Sequence, residues 1–274
     1  MFSILRKRHR QAEWMDEPGA RPEQLRESLA YIRTVNRVMG YTRVIVHHLN
    51  RFSASWQPGQ TIRILDVATG SADIPAAIVQ WAAARGFDVR VVGLDLNPII
   101  AREAAGANRD QRLQIVRGNA LDLPFPDASF DYAITSMFLH HLDDADAQQA
   151  LSEMGRVARR GVIASDLLRL SHAYAFIWFF TLLSNPMVRH DARVSVAQAF
   201  SRPEILALRD RAGLGFAEYH NHLTHRFVLA GQRGRPKSEI RSAKSETNPK
   251  SKSRKFKARL KATRLGKRPN GRAL

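Results

Sequence analysis

The stretch Ile62-Arg63-Ile64-Leu65-Asp66-Val67, running on into Ala68-Thr69-Gly70-Ser71-Ala72-Asp73, decides the fold. Its first half is a short β-branched and apolar run, which predicts a buried strand. Its second half is built from small side chains, and a helical pattern follows over about 74–85. A strand that turns through small residues into a helix brings backbone N–H groups to a place a ligand can approach closely. The same alternation continues downstream. Residues 89–94 form a second strand with a helix over about 98–107. Residues 113–117 form a third strand and 130–135 a fourth, the latter entered through the turn Pro126-Asp127-Ala128-Ser129. A helix over about 144–158 leads to a fifth strand at 161–165. Strands separated by helices of this length imply an α/β fold with a mostly parallel sheet and helices on both faces. The end differs: after a helix near 203–212, residues 216–220 and 227–230 read as two strands with no helix between them, a C-terminal antiparallel hairpin. Upstream, Leu25, Leu29, Ile32, Val35 and Met39 recur at helical steps, a second helical stretch starts at Tyr41, and Pro58-Gly59 closes this helical prelude.

Charge divides the chain. The net charge of +18 over 274 residues is uneven, because residues 233–274 hold 16 Lys and Arg against Glu239 and Glu246 alone. The expected organisation is a basic N-terminal arm over 1–12, one domain over 13–232, and a basic, disordered tail over 233–274 that cannot bury enough apolar surface to fold alone. With no cysteine, disulfides, thiolate metal sites and cysteine nucleophiles are excluded. The start packs Arg6, Lys7, Arg8, His9 and Arg10 together with no apolar segment behind them, unlike a signal peptide. The longest apolar run, 173–183, has 11 residues, short of the roughly 20 that cross a bilayer. A cytoplasmic location is expected, with the membrane surface as a second station.

Four pieces fall at the carboxyl ends of consecutive strands, where open α/β sheets bind ligands. They are the loop 66–73, Asp95 with Leu96, the segment Gly118-Asn119-Ala120, and Ser136-Met137-Phe138-Leu139-His140-His141-Leu142. A carboxylate at Asp95 suits the vicinal hydroxyls of a ribose. A nicotinamide-binding loop would need three glycines in G-x-G-x-x-G, and the stretch from Ala68 has one.

Taken together in this order, residues 64–73, Asp95, 118–130 and Leu139-His140-His141-Leu142 resemble the class I S-adenosylmethionine-dependent methyltransferases, and within them the small-molecule branch that includes ubiquinone and menaquinone biosynthesis methyltransferases. The resemblance covers about residues 13–231 and implies a Rossmann-like seven-stranded methyltransferase sheet with S-adenosylmethionine as cofactor. It implies that Asp66, Ala68, Thr69 and Gly70 cradle the methionine part, that Asp95 and Leu96 meet the ribose, that Asn119 and Ala120 meet the adenine, and that Ser136 lines the site. The family favours glycine where Ala68 and Ala72 stand, and often aspartate where Asn119 stands. A methyl group at Ala68 is therefore expected to require a negative φ.

Candidate bases are His140, His141, Asp166 and His190. Each also has a plain structural reading: one of the histidine pair as a brace, Asp166 as a cap on the turn after it. No metal is expected; His220 and His222 share a strand face but have no carboxylate near them in sequence. Residues 167–202 form an insertion whose aromatic run reads either as core or as a hydrophobic lid, with Trp178 facing an apolar or aromatic acceptor and Arg189 and Asp191 at a polar rim. Trp14-Met15-Asp16 and Asn36-Arg37 are expected to close the other side. O-methylation of a phenolic or hydroxylated acceptor is the leading expectation and C-methylation of a quinone-like ring the next. Methylation of a base amine is disfavoured, since Ser136-Met137-Phe138-Leu139 stands where such enzymes place Asn/Asp-Pro-Pro-aromatic. From a different class, the tail suggests a nucleic-acid-binding or RNA-modifying protein through polyanion contact, or contact with an anionic membrane.

Overall fold

A computed structural model of the chain describes residues 7–11, 13–14, 22–182, 184, 186–222 and 225–234. The strands are β1 (Thr61–Val67), β2 (Asp88–Asp95), β3 (Leu113–Arg117), β4 (Phe130–Ser136), β5 (Ala158–Leu167), β6 (Glu218–His222) and β7 (Arg226–Gln232). The helices are α1 (Pro22–Val38), α2 (Tyr41–Phe52), α3 (Asp73–Ala83), α4 (Pro98–Ala107), α5 (Asp144–Val157), α6 (Ser171–Phe180), α7 (Pro186–Gln198) and α8 (Arg202–Arg211). All seven strands join one sheet in the order β3-β2-β1-β4-β5-β7-β6. The first five run parallel, and β7 lies antiparallel between β5 and β6. The sheet order turns outward in both directions from β1 and β4, which makes their carboxyl ends the switch point.

Alternation along β1 builds two cores. Ile62 and Ile64 face one side and pack with Ile45 and Leu49 of α2 and Ile78 of α3. Leu65 and Val67 face the other side, against Leu151 and Met154 of α5 and Ile205 and Leu208 of α8. Because both faces are covered, the strand reads as a nearly continuous apolar run rather than an alternating one. A third cluster lies beyond the strand ends, where Tyr41, Leu167, Ala173, Val196 and Ala199 pack with Met39, Met137 and Ile177. It joins the start of α2, the end of β5 and the two insertion helices.

The chain divides into two units after Arg233. The basic tail from 235 onward, like Met15 and Asp16, lies outside the described residues. No helix among the described residues is long and apolar enough to cross a membrane.

Candidate active site

The loop after β1 is built under strain. Ala68 and Ala72 both sit in the left-handed region at φ 56°. This corrects the expectation of a negative φ at Ala68. An alanine pays for that conformation with a clash between its Cβ and the carbonyl, of about 1 kcal/mol per residue. The loop keeps the shape glycines would allow because its neighbours hold it. Thr69 N–H donates to Leu94 O (2.9 Å), and the Thr69 hydroxyl donates to Asp66 Oδ2 at 2.7 Å. Gly93 on β2 makes room: a Cβ there would stand 2.7 Å from Thr69 Oγ1.

Asp95 ends β2 and ties the two loops together. Its carboxylate accepts the Gly70 N–H at 2.9 Å and the Asn97 N–H at 3.0 Å. Asn97 in turn caps α4 by accepting from Ile99 and Ile100. Leu96, beside Asp95, is left 61% exposed at the strand end. Ala120 is buried, and Asn119 Oδ1 accepts the Leu121 N–H at 3.0 Å with one acceptor lone pair to spare. At the end of β4 the Ser136 hydroxyl is buried with no hydrogen-bond partner, and the next residue, Met137, is again left-handed at φ 58°. Strain and an orphaned polar atom together at a switch point are what a ligand site leaves behind.

These residues fit S-adenosylmethionine. Asp66 is buried, and burial, with Asp73 and Asp95 adding to it against the Thr69 hydroxyl, pushes its carboxyl up to about 7. Three carboxylates so close together favour a cationic guest, and the sulfonium and ammonium of the cofactor supply that charge. Asn36 of α1 donates to Asp73 Oδ2 at 3.1 Å and ties α1 to the loop.

The second half of the site is a buried charge relay after β4. His140 sits in a 3₁₀ turn over Leu139–His141. Its Nδ1 lies 2.7 Å from Asp166 Oδ1, and its backbone N–H donates to Asp166 Oδ2 at 2.9 Å. Its Nε2 lies 3.6 Å from Glu13 Oε1. Glu13 is itself buried and accepts from the Ser195 hydroxyl at 2.6 Å and from Gln198 at 3.3 Å. Burial works against charge on the His140 ring, but the flanking Asp166 and Glu13 carboxylates win and raise it to about 10. Burial works against the Glu13 charge too, but His141 and His140 hold its carboxyl at about 2. His140 thus lies between two carboxylates that favour its charged form. The partly buried His141 ring lies against it, tilted by 33° with ring centroids 4.3 Å apart. Glu13, His140 and His141 bring donor atoms within 4.8 Å of one another, the spacing of a metal site, although His140 and Glu13 already have protein partners.

The sequence missed Glu13 and Arg8. Arg8 donates to Leu142 O (2.7 Å), Gln198 O (2.8 Å) and Asp144 (2.7 Å), and lies 3.6 Å over the Phe200 ring. Part of the basic arm therefore docks on the turn that carries the histidines. His190 and Asp191, placed in the site from sequence, are occupied with the same arm. Asp191 Oδ1 accepts the Trp14 N–H at 2.8 Å, His190 Nδ1 lies 2.9 Å from it, and the His190 ring stacks on Trp14 at 4.3 Å. Asp166 is fully buried, bonded to His140 and to the Leu167 N–H. Trp178 lies on α6 under the guanidinium of Arg193, and Arg189 reaches Ser184 O at 3.5 Å. His220, on β6, packs against His48 with ring centroids 4.9 Å apart.

A strained small-residue loop after β1 and a carboxylate after β2 thus meet at the switch point of a seven-stranded sheet. Comparison with known proteins gives the class. Residues 64–161 match the methyltransferase domain family. Over 182 residues the chain is 31% identical to the demethylmenaquinone methyltransferase of a Roseiflexus species, covering 62% of this chain and 72% of that protein. It is 34% identical over 106 residues to the ubiquinone/menaquinone biosynthesis C-methyltransferase of Rickettsia bellii, covering 37% of this chain but 42% of that relative. Among solved structures, the O-methyltransferase family 2 protein of Planctomyces limnophilus, determined with apigenin, shares the fold at a TM-score of 0.52 and 18% identity, over 80% of this chain and 63% of that one. The chain belongs to the class I S-adenosylmethionine-dependent methyltransferases and uses S-adenosylmethionine as its cofactor.

Proposed function

We propose that the enzyme methylates a ring carbon of a hydroxylated, quinol-like aromatic acceptor. The observation that carries this reading is the pairing of the β1–β2 cofactor loop with a buried His140–Asp166–Glu13 relay on one side and the apolar cluster of Met137, Leu167 and Ile177 on the other. The relatives support carbon over oxygen, since their names specify demethylmenaquinone methylation or a C-methyltransferase. S-adenosylmethionine supplies an electrophilic methyl group on a sulfonium. Bound in the loop, it would give up that methyl with the C–S electron pair staying on sulfur, which leaves S-adenosylhomocysteine; at the acceptor, the hydroxyl proton would leave first and the proton of the methylated ring carbon would pass to solvent, restoring the aromatic ring.

His141, partly open and packed against His140, takes the hydroxyl proton. His140 is a positioning residue: both ring nitrogens face carboxylates, and it holds His141 in place. The apolar cluster excludes water from the transfer. No metal enters this reading, so a chelator leaves turnover unchanged; loss on chelation with recovery by a divalent cation would assign the Glu13–His140–His141 cluster to a metal instead. The position of the new methyl is read by NMR of the product formed from a demethylated naphthoquinol. A methyl carbon bonded to the ring supports the proposal, and a methoxy signal replaces it with O-methylation.

A further inference from the structure

Helix α6 is apolar on the side it should hide. Five of the eight large apolar side chains left exposed among the described residues lie within 176–182: Phe176, Trp178, Phe179, Phe180 and Leu182. Phe179 is 73% exposed and Phe180 56%. At 100° per residue, Phe176, Phe179 and Phe180 share an arc of about 100°, and Phe176 and Phe180 stack with ring centroids 5.5 Å apart. Ala173, Tyr174 and Ile177 turn instead to the cluster beside Met137. The helix therefore touches the acceptor side of the site with one stripe and offers an aromatic face with another.

The insertion that carries that face has a small cationic excess. Between residues 170 and 201 the charged side chains are Arg189, Arg193 and Asp191. Asp191 is buried and engaged by Trp14 N–H and His190, whereas Arg193 lies 5.3 Å over the Trp178 ring. Trp14, 40% exposed, stacks on His190 of α7 and adds a second indole. The same chain carries the net +14 of residues 233–274. Aromatic side chains flanked by arginine suit the boundary between lipid headgroups and acyl chains. One shallow apolar insertion binds a membrane weakly, as does one polybasic segment, while the two together hold.

We propose that the aromatic face of α6 docks the enzyme on the surface of an anionic lipid bilayer, so that a lipid-soluble acceptor enters the site from the membrane beneath the α6 lid. This rests on the quinol-like acceptor proposed above. The test is flotation of the full-length protein with vesicles of phosphatidylcholine alone and of equal parts phosphatidylcholine and phosphatidylglycerol, at low and high salt. The protein floats with the mixed vesicles and keeps part of that binding at high salt, where attraction of the tail is screened. Brominated acyl chains quench its tryptophan fluorescence, because Trp14 and Trp178 are exposed while Trp56 and Trp81 are buried in the core. The F176S/F179S/F180S variant partitions about tenfold less or weaker still, while its calorimetric affinity for S-adenosylhomocysteine matches that of the unaltered protein.

Equal flotation of the variant, or the absence of quenching by brominated chains, overturns the proposal and leaves the tail as the whole of any binding. So does a self-association in sedimentation that the triple variant abolishes, which gives the face to a second copy of the chain. The two readings fail separately. An enzyme that methylates a water-soluble quinol analogue but never floats loses the docking; one that floats but neither binds S-adenosylhomocysteine nor transfers methyl loses the transfer.

Discussion

At the scale of single residues, the loop after β1 is strained at two alanines that adopt a conformation suited to glycine. Replacing Ala68 or Ala72 with glycine removes the left-handed penalty at φ 56° and adds some chain entropy to the unfolded state. The expected net gain is about 0.5–1 kcal/mol for each, measured by urea unfolding; a loss of stability at both would contradict the strained geometry. Asp66, pushed up to about 7 by burial, gives a pH signature. Its folded value lies above the ordinary 3.8, so the stability it contributes to the ligand-free protein is complete below about 4 and is lost as pH rises through 7. The ionised form then attracts the cationic cofactor, and calorimetric affinity for S-adenosylmethionine is expected to tighten several-fold from about pH 6 to about pH 8. His140 works in a different window. Raised to about 10, it stabilises the fold fully below 6.5 and ceases to do so as pH passes 10. Asp166→Asn leaves the buried ring without its main partner at a cost of about 3 kcal/mol. It should also flatten the fall in melting temperature between neutral and alkaline pH; an unchanged profile would mean the relay carries no charge.

At the scale of elements, the strands were legible for a physical reason and the arm was not. The expected strand 113–117 agrees with β3, a half-exposed edge strand whose Leu113, Ile115 and Val116 give the signal, and 130–135 falls one residue short of β4, whose run is buried on both faces. The expected strand 161–165 stops short of β5, which runs over Ala158–Leu167. Its first turn contains Arg159 and Arg160, polar residues held in the ladder by Asp131 (2.9 and 3.7 Å) rather than by burial. Asp95 and the small-residue loop were legible because local sequence fixes them. Glu13 was not, since its partner Ser195 lies 182 residues away and no periodicity connects them. Arg8 was counted with a solvated basic run, yet it packs on Phe200 and the carbonyls after His140. An Arg8→Ala variant tests that element directly. It removes hydrogen bonds to Leu142 O and Gln198 O, and should cost about 2 kcal/mol and speed proteolysis of the arm; a protein with unaltered stability would show that the arm is a passenger.

At the scale of the whole molecule, net charge misleads about chemistry. The +18 of the chain is concentrated after residue 232, whereas the strained loop, the ribose-type carboxylate and the histidine relay lie in a part with a net charge of only +4. The fold joins two unlike surfaces over one sheet: the polar ends of β1 and β2, and the apolar cluster from α2, β5, α6 and α7, to which the proposed function assigns the cofactor and the acceptor respectively. Met137, left-handed and shared by both, stands at their junction. The measurement that meets this account most directly is transfer of an isotopically labelled methyl group from S-adenosylmethionine to a demethylated naphthoquinol, with the unaltered protein and Asp95→Ala side by side. Asp95 accepts the Gly70 and Asn97 N–H groups and so holds the two loops together, and the account expects transfer by the unaltered protein and a loss of at least about tenfold in kcat/KM in the variant. Labelled product formed equally well by both would contradict it.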